Sequence, residues 1–295
     1  MSNMNKHYTP FFSIVIPTLN EEKYLPKLLK DLSSQTFENF EVIVVDGNSE
    51  DTTVKKATTF KKKLNLKIIP VTKRNVSFQR NTGVSQTKGD WVIFMDADNR
   101  LPHFFLEGIK YQLAKFPEVE VFTTWLSVEG NSKIDKLIEN SINLDIEIYT
   151  IMGNPKSMGA LMGIKKTLFK KHHFDEKQQY MEDSMLVREL CDAGHCFKIF
   201  REPKFYYSLR RIKKVGNVQM LQTMMKYQFH YLLGGDFSKP YSAEQYPMLG
   251  GSYYDVKDKP QRWYSRIHHF IKTASQKQLE QARKVLNTLN DSEQL

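Results

Sequence analysis

Three apolar runs, each ending in a polar cluster, constrain this chain most. Phe11–Thr18 is closed by Pro17 and followed by Asn20-Glu21-Glu22; Phe40–Val45 runs into Asp46-Gly47-Asn48-Ser49; Trp91–Met95 runs straight into Asp96-Ala97-Asp98-Asn99. Short runs of large apolar residues bounded by turn formers read as strands buried on both faces. Such strands belong to parallel sheets with helices covering each side. Leu25, Leu28, Leu29 and Leu32 follow the first run at helical spacing. Asn20 is the expected N-cap of that helix, with acidic residues in its first turn. Asp51-Thr52-Thr53 opens a lysine-rich helix, Leu66–Pro70 reads as a third, shorter strand, and residues 78–83 begin a helix or turn. This alternation predicts an α/β fold with a mostly parallel sheet.

In a parallel sheet the carboxyl ends of the strands share one edge, where ligands bind. Pro17–Glu22, Asp46–Asp51 and Asp96–Asn99 should therefore converge on one crevice. If Asp96 and Asp98 lie in extended chain, their side chains project to the same side. Two carboxylates so placed repel unless a cation lies between them, and hard oxygen ligands suit Mg²⁺ or Mn²⁺. The plainer alternative is a polar turn, because Asp and Asn form turns readily.

Downstream, Val119–Trp125 reads as a strand, Lys133–Met152 as a helix and Gly159–Ile164 as a strand bordering the crevice. Met181–Leu190 begins acidic and continues at helical spacing, and Phe197–Phe200 is a short strand. Trp125 and Met162 read as core or crevice wall. Arg188 is expected to pair along its own helix. His172-His173 and His268-His269 read as solvated, since adjacent helical residues do not face each other. Beyond Gly216 the character changes: an apolar helix over Met220–Leu232, a long loop over residues 236–261, and a basic amphipathic helix over Arg262–Leu289. The expected division is one α/β domain over residues 1–215. Residues 216–295 would be a helical extension packing on it, on a membrane surface or on a partner.

The motifs Ser13–Glu22, Val44–Thr53, Asp96-Ala97-Asp98 and Glu182-Asp183, in this order and spacing, resemble family 2 of the inverting glycosyltransferases. The resemblance runs from about Phe11 to about Arg211. It implies the GT-A fold: a mixed, mostly parallel sheet flanked by helices. It also implies transfer of one sugar from a nucleotide-diphospho-sugar to an acceptor hydroxyl, a hexosyltransferase-like activity. By the family pattern, Pro17, Thr18, Asn20 and Glu21 border the nucleoside and Asp46 takes the base, with Arg80 beside it. Asp96 faces the ribose and Asp98 holds Mn²⁺ or Mg²⁺, with Asp96 as its companion. Arg210 or Arg211 would balance the diphosphate. Asp183 matches the general base, and Glu182 is second choice or holds the acceptor. The helix start should lower the pKa of Asp183 and burial should raise it. No clear histidine follows Asp183 closely to serve as a further metal ligand; His195 is the nearest.

Other classes fit less well. Lys+Arg (43) exceed Asp+Glu (33), a net charge of +10 that suits anionic partners. The only lysine triplet, Lys61-Lys62-Lys63, reads as a solvated helix face, and no nucleic-acid motif accompanies it. A sugar-phosphate nucleotidyltransferase would want glycines after the first strand, and residues 17–22 contain none. Residues Met1–Pro10 lack the apolar core of a signal peptide, no run of 18 apolar residues is present, and two cysteines read as reduced thiols. A cytoplasmic protein is expected. The basic terminal helix could rest on the inner membrane face, and the Met220–Leu232 stripe could serve a homodimer. In that setting the acceptor could be a sugar or a lipid-linked group. Polyprenyl-phosphate glycosylation is the alternative activity, and Asn20-Glu21-Glu22 fits relatives of that kind.

Overall fold

The computed structural model describes residues 9–130, 133–157, 159–178, 180–210 and 250–251. The expected boundary near Val215, the helices beyond it, Arg211 and His268-His269 lie outside the described residues. In chain order the elements are β1 (Phe12–Thr18), α1 (Leu25–Leu32), β2 (Phe40–Asp46), α2 (Thr53–Thr58), β3 (Leu66–Pro70), α3 (Val76–Ser85) and β4 (Trp91–Met95). They continue with α4 (Phe105–Lys115), β5 (Val121–Val128), α5 (Lys133–Ile151), β6 (Leu161–Lys165), α6 (Glu182–Asp192) and β7 (Phe197–Tyr207).

The strands form one sheet in the order β3-β2-β1-β4-β6-β5-β7. β3, β2, β1 and β4 are parallel, with Phe12 opposite both Phe40 and Trp91. Every residue of β1, β2 and β4 is buried, as their unbroken apolar character predicts. Alternate residues feed two cores. Ile14, Ile16, Val42 and Val44 pack with Leu25, Leu28 and Leu29 of α1 and Phe105 and Ile109 of α4. Val15, Ile43, Val45 and Phe94 pack on the other face with Leu186, Val187 and Leu190 of α6. The chain leaves β1 toward β2 on one side and returns to β4 on the other. The crevice at the carboxyl ends of β1 and β4 is thus a topological switch point.

Several expectations change. α1 begins at Leu25, with Pro26 in its first turn, rather than at Asn20. Asn20 has φ 53°, a left-handed conformation incompatible with the extended backbone of an N-cap. α4 was not anticipated from the sequence. As the resemblance implies, the sheet is mixed: β6 runs antiparallel to both β4 and β5. β7 extends over 11 residues and pairs in parallel with β5, its register broken between Thr124 and Leu126. Among the described residues, no helix is long and apolar enough to cross a membrane.

Candidate active site

The first two strand ends are stitched together by side chains. Asp46, at the end of β2, accepts hydrogen bonds from Ser49 N (2.9 Å) and Ser49 Oγ (2.5 Å). Ser49 Oγ in turn accepts from Asn20 N at 2.8 Å, and Asn20 Oδ1 accepts from Glu50 N at 2.8 Å. Asn20 and Asn48 (φ 62°) both adopt the left-handed region, which Asn tolerates better than other non-glycine residues. Gln79 Nε2, from α3, donates to Thr18 O (2.9 Å) and Val45 O (2.8 Å). Gln79 was not singled out from sequence: it acts on chain tens of residues away, and no local pattern marks it. Gly250 (φ 54°) and Gly251 lie flush on this loop, Gly251 N donating to Leu19 O at 2.8 Å. A Cβ on Gly251 would fall 1.7 Å from Asn20 O, so only glycine fits there.

Asp96 and Asp98 follow β4 in a turn, not in extended chain. Asn99 N donates to Asp96 O at 3.1 Å. The two carboxylates therefore meet different partners. Asp96, with 40% of its side chain exposed, lies 3.5 Å from Arg80 Nη2. Asp98 Oδ2 lies 2.8 Å from Arg210 Nε. Arg210 also donates to Glu21 through Nη1 (3.0 Å) and through Nη2, and its guanidinium covers the Tyr24 ring at 4.3 Å. Burial pushes the Glu21 carboxyl up to about 7, against the pull of Arg210.

Glu182 and Asp183 open α6, preceded by Met181 in a left-handed conformation (φ 59°). Glu182 Oε1 accepts from Arg80 Nη1 at 2.6 Å. Asp183 is 7% exposed. Its carboxyl is raised to about 7, first by burial and then by the neighbouring Glu182 charge; Arg80 and the Ser184 N–H pull the other way. Of the two opposed effects read from the sequence, desolvation prevails over the helix start. Gly159 closes over this group: a Cβ there would sit 2.9 Å from Asp183 Oδ2. Lys156, also missed from sequence, is buried, ion-paired with Asp145 and 3.9 Å above the Tyr149 ring. Burial lowers its pKa, while Asp145 and Asp183 favour its charge.

The Arg80 guanidinium contacts Glu182, Gly159 and Asp96. His195 is set aside as a metal ligand: its Nδ1 bonds Glu120 Oε2 at 2.8 Å, next to the start of β5, the end of the sheet away from the crevice. Arg188 Nη2 reaches Asn154 Oδ1 at 2.9 Å. His172 is held by Glu189 at 2.6 Å and packs edge-on against His195. Trp125 donates to Glu147 at 3.0 Å and Met162 is fully enclosed core. Both cysteines are free thiols.

The oxygens of Asp98 and Asp96 are chemically suited to a hard divalent cation. Among the described residues no three His, Cys, Asp or Glu side chains come together as a ready cage. A cation here would need oxygens from a ligand and water to fill its shell, as Mg²⁺ sites commonly do.

Residues 13–202 match the family model described as "Glycosyl transferase family 2". The chain belongs to glycosyl transferase family 2. It is thus a glycosyltransferase. It is 38% identical over 210 residues to poly(ribitol-phosphate) beta-N-acetylglucosaminyltransferase TarS of Staphylococcus aureus (strain Mu50 / ATCC 700699), covering 68% of this chain and 36% of that protein. The chain spans about a third of the length of the first curated relatives it matches. In three dimensions it is similar to S. aureus TarS 1-349 in complex with UDP-GlcNAc, with a TM-score of 0.52, 23% identity, and 66% of this chain and 58% of that one covered. It is also similar to the mannosyltransferase PcManGT from Pyrobaculum calidifontis in complex with GDP-Man and Mn²⁺, with a TM-score of 0.55, 20% identity, and coverage of 74% and 65%. Such likeness fixes the fold as GT-A.

Proposed function

We propose that this glycosyltransferase moves one sugar from a nucleotide-diphospho-sugar to an acceptor hydroxyl with inversion, using Asp183 as general base. One observation carries this reading. A buried carboxylate with an affinity for protons near neutrality stands beside the crevice that also holds Asp96 and Asp98. A base tuned to the working pH is most effective at taking a proton in the transition state. Asp183 takes the hydroxyl proton as the acceptor oxygen bonds to the anomeric carbon. The bond from that carbon to the diphosphate breaks on the opposite face, and the nucleoside diphosphate leaves with its charge. Polyprenyl phosphate, already an anion, would need no such base, so a hydroxyl acceptor is the better reading.

Pro17, Thr18, Asn20, Glu21 and Asp46 form the nucleoside side of the crevice in this scheme. Asp96 is next to the ribose. Arg210, resting on Asp98 and Glu21, is the cation nearest the departing diphosphate. Asp98, with Asp96, would hold Mn²⁺ or Mg²⁺. When bound, such an ion offsets the charge that builds on the leaving group. The likeness to TarS suggests UDP-GlcNAc as donor and a polyol phosphate polymer as acceptor. The test is incubation with UDP-GlcNAc, Mn²⁺ and poly(ribitol phosphate), followed by NMR of the product. A single β-linked GlcNAc per modified hydroxyl supports the reading. An α-linked product, or transfer only to polyprenyl phosphate, overturns it.

A further inference from the structure

Among the described residues Arg80 is the largest side chain that is essentially enclosed, at 2% exposure, and it is a permanent cation. Burying it is costly unless its planar fork is filled. Nη1 donates to Glu182 at 2.6 Å, Nη2 donates to Gly159 O at 2.9 Å, and Nη2 also lies 3.5 Å from Asp96 Oδ1. The Phe174 ring lies 5.3 Å from the guanidinium carbon. The Cβ position of Gly159 is 2.9 Å from Asp183 Oδ2 and 3.4 Å from Arg80 Nη2, which places the base beside the same guanidinium.

The neighbours of Arg80 on α3 make parallel connections. Gln79 holds the backbone ends of β1 and β2. Asn81 exchanges two hydrogen bonds with Phe174, Nδ2 to O at 2.9 Å and Phe174 N to Oδ1 at 3.0 Å. Three consecutive residues thus reach the nucleoside loops, the carboxylates of β4 and α6, and the segment leading to α6.

We infer that Arg80 is a positioning residue: it fastens the Glu182-Asp183 pair of α6 to Asp96 at the end of β4, setting the base against the donor. This rests on Asp183 being the base. A lysine at this position keeps the charge but cannot fill two carboxylates and a carbonyl in one plane. Misplacement by about 1 Å is enough to slow a positioned reaction on the order of 10²-fold.

The test uses the full chain carrying Arg80→Lys, with Phe174→Leu as a milder second variant that removes the ring beneath the guanidinium and keeps an apolar side chain. Calorimetry with UDP-GlcNAc and Mn²⁺ gives donor affinity and the fraction of competent sites. Release of UDP, with poly(ribitol phosphate) or water as acceptor, gives kcat. The expected result is a site fraction matching wild type, donor affinity within about threefold, and kcat lower by roughly 10²-fold in R80K and roughly tenfold in F174L. A kcat that falls only in proportion to the lost site fraction means a merely structural role and overturns the inference. So does a kcat within threefold of wild type in both variants. If R80K does not fold, F174L decides by the same criteria. Asp183→Asn, run alongside, separates the two readings: if it retains turnover the base assignment fails, and if it alone loses turnover only the role of Arg80 fails.

Discussion

Gly159→Ala perturbs the proposed base, Asp183, without touching its chemistry. The added Cβ would lie 2.9 Å from Asp183 Oδ2, 3.3 Å from its Cγ and 3.4 Å from Arg80 Nη2. Real Cβ contacts of 2.9 Å essentially never occur. Asp183 or the Gly159 backbone must therefore give way by about half an ångström. Gly159 O is held by Arg80 at 2.9 Å, and Asp183 is walled in by burial, so neither moves freely. Overpacking of this kind costs about 1–3 kcal/mol of stability. Displacing a positioned base by half an ångström should lower kcat by roughly 10–100-fold, or about 1.4–2.7 kcal/mol in the barrier. Donor affinity should hold, because the added methyl faces the acceptor-side carboxylate. Steady-state UDP release and calorimetric donor binding measure the two quantities separately. A kcat within twofold of wild type, with the protein folded, would refute the crowded geometry around Asp183.

Four further outcomes follow from the same site. Acting as the proposed base, Asp183 must be ionised, so kcat/KM should rise with pH through about 7 and level off above it, and Asp183→Glu should shift that inflection. Because the folded-state pKa of Asp183 is raised above its usual value of 3.8, folding takes up a proton between those values, and the group costs stability as pH rises through about 7. Thermal melts should show Asp183→Asn more stable than wild type at pH 8, with the gap closing below pH 4; a constant gap would contradict the shift. Arg210→Ala leaves Glu21 buried without its cation and should destabilise by about 3 kcal/mol while weakening donor binding, checked by chemical denaturation and calorimetry. Asp98→Asn should abolish any Mn²⁺-dependent gain in donor affinity, and an undiminished gain would remove Asp98 as a ligand.

The sheet was legible because β1, β2 and β4 are buried on both faces, and only an uninterrupted apolar run meets that demand. The strand ends were legible for the complementary reason, that polar turn formers crowd where such runs stop. Strand direction was not. The resemblance implied a mixed sheet, but residues Leu161–Lys165 carry no mark that β6 is the antiparallel strand. α1 was started too early because Asn20 looks like a cap by residue type, while its φ of 53° turns the chain the other way. Asp96 and Asp98 were recognisable as a pair, but their separation depends on a turn that splits them between Arg80 and Arg210. Arg80 was the hardest to read. Its partners Gly159 and Glu182 lie 79 and 102 residues away in sequence, and burial of a cation among carboxylates has no local signature.

The base assignment of Asp183 is the centre of this account, and Asp183→Asn tests it most directly. The substitution keeps shape and removes the proton acceptor. Donor binding, measured by calorimetry with UDP-GlcNAc and Mn²⁺, should stay within about threefold of wild type. UDP release should fall by about 10²–10⁴-fold, the range that a positioned general base contributes. Intact donor binding with unchanged turnover would contradict the account.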